Sequence, residues 1–126
     1  MSTFILRLAI AIILLAHSVP TIVEGSIAAF GNEYLNNVGF APFGLAIAWA
    51  IKLSHILCAV CLIANRFIWP ASLITIFVLV MGIIMVHFKE GWFVVGGGRN
   101  GVEFNFLMIA VLIYLLMYEK HRLKKL

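Results

Sequence analysis

Charge is scarce in this chain. Of its 126 residues only 11% are charged, with five acidic and nine basic side chains, against 64% that are apolar. An ordinary soluble domain has roughly 45–50% apolar and about 25% charged residues. A soluble domain this short leaves much of its area exposed, so it has nowhere to hide such a composition. Cysteine is equally sparse. Cys58 and Cys61 are the only two, which excludes a disulfide framework. No His-x-x-x-His pair is present for a metal. No phosphate-loop or dinucleotide pattern occurs either, because the strand it needs is missing.

What is abundant is apolar residues in long blocks. Phe4 to Val19 is broken only by Arg7, His17 and Ser18, and extends to about Val23. Phe43 to Ala64 carries Lys52, Ser54 and His55, while Phe67 to Val86 carries no charge. Val102 to Tyr118 has Glu103 and Asn105 near its start and no later charge. A hydrocarbon core of about 30 Å takes roughly 20 helical residues to cross, and each block fits. A β-barrel needs alternating polarity over about ten residues, which these blocks lack. The sequence therefore predicts an all-α membrane protein, a four-transmembrane-helix bundle forming a single domain, with helices near 4–23, 43–64, 67–88 and 101–119. Small residues at Ser26-Ile27-Ala28-Ala29 after an apolar run can mark a cleaved signal peptide. Here the run is read as a retained first membrane helix.

Lysine and arginine counts set the orientation. Arg7, Arg66, Lys120, Arg122, Lys124 and Lys125 lie on one side, against Lys89 and Arg99 on the other. Both termini are expected to be cytoplasmic, and the net charge of +4 is mostly this signal. It calls for no nucleic-acid partner, although the basic tail suits anionic lipid. The loop from Thr21 to Pro42 is long for a bundle connection, which points to function, and part of it is expected to form a short interfacial helix. The second outer loop offers Trp92 and Phe93 to the interfacial aromatic belt. Its glycines Gly96, Gly97 and Gly98, followed by Arg99, serve either a flexible turn or a close backbone approach to a ligand.

Ionisable groups inside a bilayer are expensive and tend to mark function. From the outer side, Lys52 lies about 13 Å and His55 about 18 Å into the second helix. Three residues apart, they share a face. His17, His87 and Glu103 lie near the outer ends of the other helices, with Asn100 just ahead of the fourth. The expectation is a polar cluster in the outer half of the membrane, with Glu103 pairing with Lys52 or a histidine. It forms either a ligand or proton site, or a salt-bridge network that fixes helix packing. Arg7 is expected to snorkel to the headgroups, and His121 to be solvated. A haem is disfavoured, because His55 sits about 15 Å deeper than His17 and His87. Cys58-Ala59-Val60-Cys61 has redox spacing, but apolar burial raises a thiol's pKa and its face is rotated from that of Lys52 and His55. Packing is the expected role.

Several short motifs occur in a familiar order. Arg7 heads a first helix ending in Ala16-His17-Ser18-Val19-Pro20, and Gly39-Phe40-Ala41-Pro42 precedes the second. Met85-Val86-His87 leads to Gly91-Trp92-Phe93, and Asn100-Gly101-Val102-Glu103-Phe104-Asn105 opens the fourth. This order, over nearly the whole chain, resembles the DoxX family of small four-helix bacterial membrane proteins. The resemblance implies the bacterial inner membrane and a redox-linked role. DoxX and DoxD relatives form the membrane subunit of a thiosulfate:quinone oxidoreductase, and another relative assembles with soluble antioxidant enzymes. Many members carry a glutamate in an Ala-Glu stretch of the second helix. Here that region reads Ala50-Ile51-Lys52-Leu53-Ser54-His55, which departs from any mechanism needing an acid there and suggests a distinct subgroup.

Two functions remain open at this point. One is a redox-linked subunit that binds a quinone or another small apolar carrier at the polar cluster. It has no flavin, iron–sulfur or covalent haem motif and no intrinsic cofactor is expected, so electrons would come from other membrane or soluble redox subunits. The other is a non-catalytic anchor or assembly subunit, in a homo-oligomer or a larger complex, with a purely structural cluster.

Overall fold

Apolar composition and the need to satisfy every backbone amide internally leave helix as the only option for these segments. The computed structural model describes residues 2–94, 96 and 101–125. It is all-α among those residues. Helix α1 spans Phe4–Val23 and a short α2 spans Ser26–Ala29. A stretch with the wider π winding, π1, follows over Phe30–Phe40 and is broken by Gly39 at φ +113°. Helix α3 spans Gly44–Ala64, α4 Ile68–Gly82, and a second π segment, π2, Ile83–His87. A single 3₁₀ turn covers Phe88–Glu90, and α5 runs over Glu103–Lys124.

Four helical stretches are long and apolar enough to cross a bilayer: Phe4–Val23, Gly44–Ala64, Ile68–Glu90 and Glu103–Lys124. Their boundaries match the predicted blocks closely at three of four positions. The exception is α5, which continues past residue 119 to Lys124. Its last turn holds His121, Arg122 and Lys124, and cations there are favoured by the negative end of the helix dipole. The basic tail is thus helical almost to its end. Only 17–28% of each span is buried inside the protein. Side chains such as Ile5, Leu57, Phe77 and Met117 face outward and more than 60% exposed, an arrangement that suits acyl chains and not water.

The chain forms two compact units, 1–66 and 67–126. In the first, α1 and α3 pack side by side. They are antiparallel, because the start of α1 meets the end of α3: Arg7 Nη1 donates to the Leu62 carbonyl at 2.6 Å. Arg7 Nε also donates to Thr3 Oγ1 at 3.1 Å, and the guanidinium lies 5.7 Å from the Phe4 ring centroid. Arg7 is buried, so it does not snorkel. A planar fork with several donors finds carbonyl and hydroxyl acceptors inside the unit and has no need of the headgroups.

The long first loop is helical for most of its length and packs on α3. Ile27, Leu35 and Ala48 form a small buried core, flanked by Ile22, Phe30, Val38, Phe40, Ile47 and Ile51. Asn36 Oδ1 accepts the Gly44 amide hydrogen at 2.9 Å, satisfying one of the orphan donors that open α3. At the other end of α3, Asn65 closes the helix in the left-handed conformation, its amide bonded to the Leu62 carbonyl at 3.3 Å. Asparagine tolerates that geometry better than most residues.

In the second unit α4 and α5 pack together and are also antiparallel. The start of α5 contacts the end of α4 through Asn105 Nδ2 and the Leu79 carbonyl, 3.2 Å apart. The loop before α5 folds back on the helix start. Val102 N–H donates to the Gly91 carbonyl and Glu103 N–H to the Trp92 carbonyl, each at 2.9 Å. A Cβ on Gly101 would meet the Trp92 and Phe93 carbonyls at 2.5 Å, so no side chain fits there.

Gly44 makes a similar close approach in the first unit. A Cβ there would run into the Gly31 carbonyl and the Asn36 side chain. Gly44→Ala is expected to lower stability by about 1–3 kcal/mol through overpacking. Thermal unfolding in detergent would show it, and an unchanged midpoint would mean that the first loop does not pack on α3.

Candidate functional site

In the first unit, α1 and α3 run antiparallel, so residues near the end of α1 face residues in the first half of α3. That register brings His17, Lys52 and His55 together. Lys52 Nζ donates to the main-chain carbonyl of His17 at 3.1 Å and lies 5.4 Å from the centroid of the Phe30 ring. Phe30 comes from π1, so the half-buried lysine of α3 meets both α1 and π1. His17 and His55 both lie within electrostatic reach of Lys52, and of each other. The cluster therefore gathers three nitrogen bases. Among the described residues of this unit, no carboxylate pairs with Lys52.

His55 is the deepest member. It is 8% exposed, and its Nδ1 is buried without a hydrogen-bond partner. One helical turn separates it from Ala59 and Cys58, which share its buried face with Leu62. The expected rotation of the cysteines away from His55 is corrected here for Cys58. A spacing of three residues places it on the same side of the helix. Neither cysteine is in a disulfide, and Cys58 is buried, in keeping with packing. Ser18, next to His17, is also buried with an unpartnered Oγ. An isolated hydroxyl or imidazole nitrogen removed from solvent costs free energy unless something bonds it.

The remaining predicted residues belong to the second unit. His87 closes π2. Around Gly82, the positions of Asn105 Nδ2 and of the His87 ring carbons and nitrogen converge: a Cβ there would lie 3.4 Å from the former and 3.7–3.9 Å from the latter. Glu103 Oε1 accepts the Val94 amide hydrogen at 2.6 Å, so this carboxylate ties down the loop ahead of α5. Trp92 stacks obliquely on Phe106, with ring centroids 5.4 Å apart. Gly96 adopts φ +82° and is exposed. Gly97, Gly98, Arg99 and Asn100 lie outside the described residues.

Three contributors had no place in the predicted cluster. Phe30 lies in the long first loop, Ser18 interrupts an apolar run, and Asn105 is a polar residue near a helix start. A signal for Asn105 did exist. It heads the buried stripe Asn105, Met108, Leu112, Leu115 and Glu119, whose alternating spacings of three and four mark the packed face of a membrane helix. Ser18 ends the equivalent stripe on α1, which contains Arg7, Ile10, Ala11 and Leu14. No such local signal exists for Phe30, because its contact with Lys52 depends on how π1 folds back onto α3.

A chain with four membrane-length helices, a helical loop packed on one of them and basic side chains lodged within the spans belongs to the class of small multi-span membrane proteins that carry internal polar sites. Its kinship is narrower than that. A family model for DoxX matches residues 2–88, and the protein belongs to the DoxX family. The match takes in His17, Lys52, His55 and His87 and ends before Glu103, short of the nearly full-length likeness expected from the motifs. No curated protein and no solved structure matches the chain.

The two roles left open by the sequence make opposite predictions for stability. A lysine in a membrane span costs about 2.5–3.5 kcal/mol. One hydrogen bond to a carbonyl returns roughly 1.5–3 kcal/mol when the donor is charged. If the lysine serves a ligand, Lys52→Met is expected to leave the ligand-free protein as stable as the wild type or more stable by about 1 kcal/mol. A clear fall in the thermal midpoint in detergent would assign Lys52 to helix packing instead.

Proposed function

We propose that this protein is a redox-linked membrane subunit that binds a quinone-type head group at the cluster of His17, Lys52 and His55. The single observation behind this reading is the state of Lys52. Its ammonium group has three donors, and it meets one carbonyl and one aromatic face, with no carboxylate among the described residues of its own unit. An acceptor oxygen is the missing complement. A quinone carbonyl supplies one without bringing a charge into the membrane. The flat face of Phe30 beside the ammonium suits a planar ring, and the unpartnered His55 Nδ1 offers a second polar contact.

In this reading Lys52 donates a hydrogen bond to a carbonyl oxygen and orients the ring. His55 offers its buried Nδ1 as a second polar contact to the bound ring. When bound, the quinone supplies the electron-accepting chemistry. Electrons reach it from a partner subunit or a soluble donor, because the sequence has no flavin, iron–sulfur or covalent haem motif. Both termini face the cytoplasm of a bacterial cell in this proposal, which puts the cluster toward the outer leaflet. Glu103, which holds the loop through Val94, keeps its place as a candidate positioning residue for the outer side. The alternative role is a non-catalytic assembly subunit. It draws support from Trp92 and Phe93, which are 47% and 64% exposed on the second outer loop.

The test is extraction of protein purified in mild detergent with organic solvent, followed by quantification of quinone per chain. Near-stoichiometric quinone is expected for the wild type. Loss of one charged hydrogen bond is worth roughly 1.5–3 kcal/mol, so Lys52→Met should weaken retention about tenfold or more. His55→Phe should reduce it as well. Wild-type protein that carries no quinone and takes none up from added ubiquinone or menaquinone analogues would refute the proposal.

A further inference from the structure

A groove lies at the end of the second unit away from Asn105. The start of α4 and the last turns of α5 lie side by side there and leave a groove of about 460 Å³ lined by Trp69, Lys120, Leu123 and Lys124. Its walls combine an indole, a leucine side chain and the aliphatic stems of two lysines. The charge of the two ammonium groups is not cancelled locally. Glu119, the acid nearest to them in sequence, is taken up by Arg122, which bonds it through Nη2 to Oε1 at 2.6 Å and through Nε to Oε2 at 3.1 Å. Glu119 is buried, on the packed stripe of α5. No carboxylate pairs with Lys120 or Lys124 among the described residues.

We infer that this groove binds one anionic phospholipid, with the phosphate between Lys120 and Lys124 and the upper acyl chain along Trp69 and Leu123. Three features select this occupant. The groove sits where two membrane-crossing helices end, which is headgroup depth. Trp69 has the amphipathic ring that settles at that depth. Basic side chains near the surface of an anionic bilayer are drawn to its headgroups, and two that flank an apolar trough provide both halves of a lipid's chemistry. An acidic protein segment would find the charge but would have to place polar backbone against the trough. Arg122 does not contribute to the phosphate, because its guanidinium is committed to Glu119.

Native mass spectrometry of the full-length protein reads the proposal directly. The protein is released from micelles containing equimolar phosphatidylglycerol and phosphatidylcholine, and bound lipid is counted. One phosphatidylglycerol is expected to survive in preference to phosphatidylcholine, by about tenfold or more. The double variant Lys120→Gln, Lys124→Gln should lose that preference, and Trp69→Ala should lower total lipid retained. Arg66→Gln, which removes a basic residue that does not line the groove, should change neither. Equal loss in Arg66→Gln would reduce the effect to general surface charge and overturn the site. So would a wild type without preference, or displacement of the lipid by millimolar glycerol 3-phosphate, which would make the groove an anion site without a use for the acyl chain.

Discussion

Hydrocarbon provides no hydrogen-bond partner, so a polar side chain within a span gains by finding one on the protein. Three side chains meet this demand in the same way, by reaching across to a main-chain carbonyl of the neighbouring helix. Arg7 reaches Leu62, Lys52 reaches His17, and Asn105 reaches Leu79. A carbonyl already in a helical hydrogen bond keeps a second lone pair, and this is what makes the device available without breaking the helix. Two of the three bonds join α1 to α3, one toward each end of the pair. The third joins α4 to α5. These contacts fix the antiparallel register of each helix pair.

The device does not cost the same at the three positions. Arg7 spends its fork on a carbonyl and a hydroxyl and is buried, so it is consumed by the fold. Asn105 is neutral and comparatively cheap to bury. Lys52 is charged, half-buried, and bonded to a single carbonyl beside an aromatic ring. The helix pair is already held at its other end by Arg7, and a neutral side chain at position 52 would spare the cost of the charge. Under the proposed function, what such a residue can still bind accounts for it. Its neighbours agree: His55 and Ser18 each keep a buried polar atom without a partner.

Widened π turns occur beside both polar regions. π1 carries Phe30 to the Lys52 ammonium, and π2 ends in His87, next to Asn105. An extra residue per turn rotates the side chains that follow it. Turns of this kind are often found at functional sites. At the far end of the second unit the logic is electrostatic. The acid of the tail turns inward to Arg122, which leaves the lysines to face outward with their charge intact.

Composition and block length were enough to establish that the chain crosses a membrane with four helices and where those helices lie, because the free energy of moving a segment into lipid is nearly a sum over its residues. His17, Lys52 and His55 were legible as candidates for the same reason, since a charged or titratable residue stands out in an apolar run. Partnership was not legible. The carbonyl that receives Lys52, the ring of Phe30 over it, the burial of Arg7 and the engagement of Glu103 with Val94 depend on register between helices and on loops that fold back. Hydropathy says nothing of these. Stripes such as Asn105 to Glu119 hold part of that information, in spacings of three and four. Which helix meets each stripe, and which polar atom is left over once they have met, was decided by tertiary packing, because main-chain carbonyls are the same at every position and only geometry singles one out.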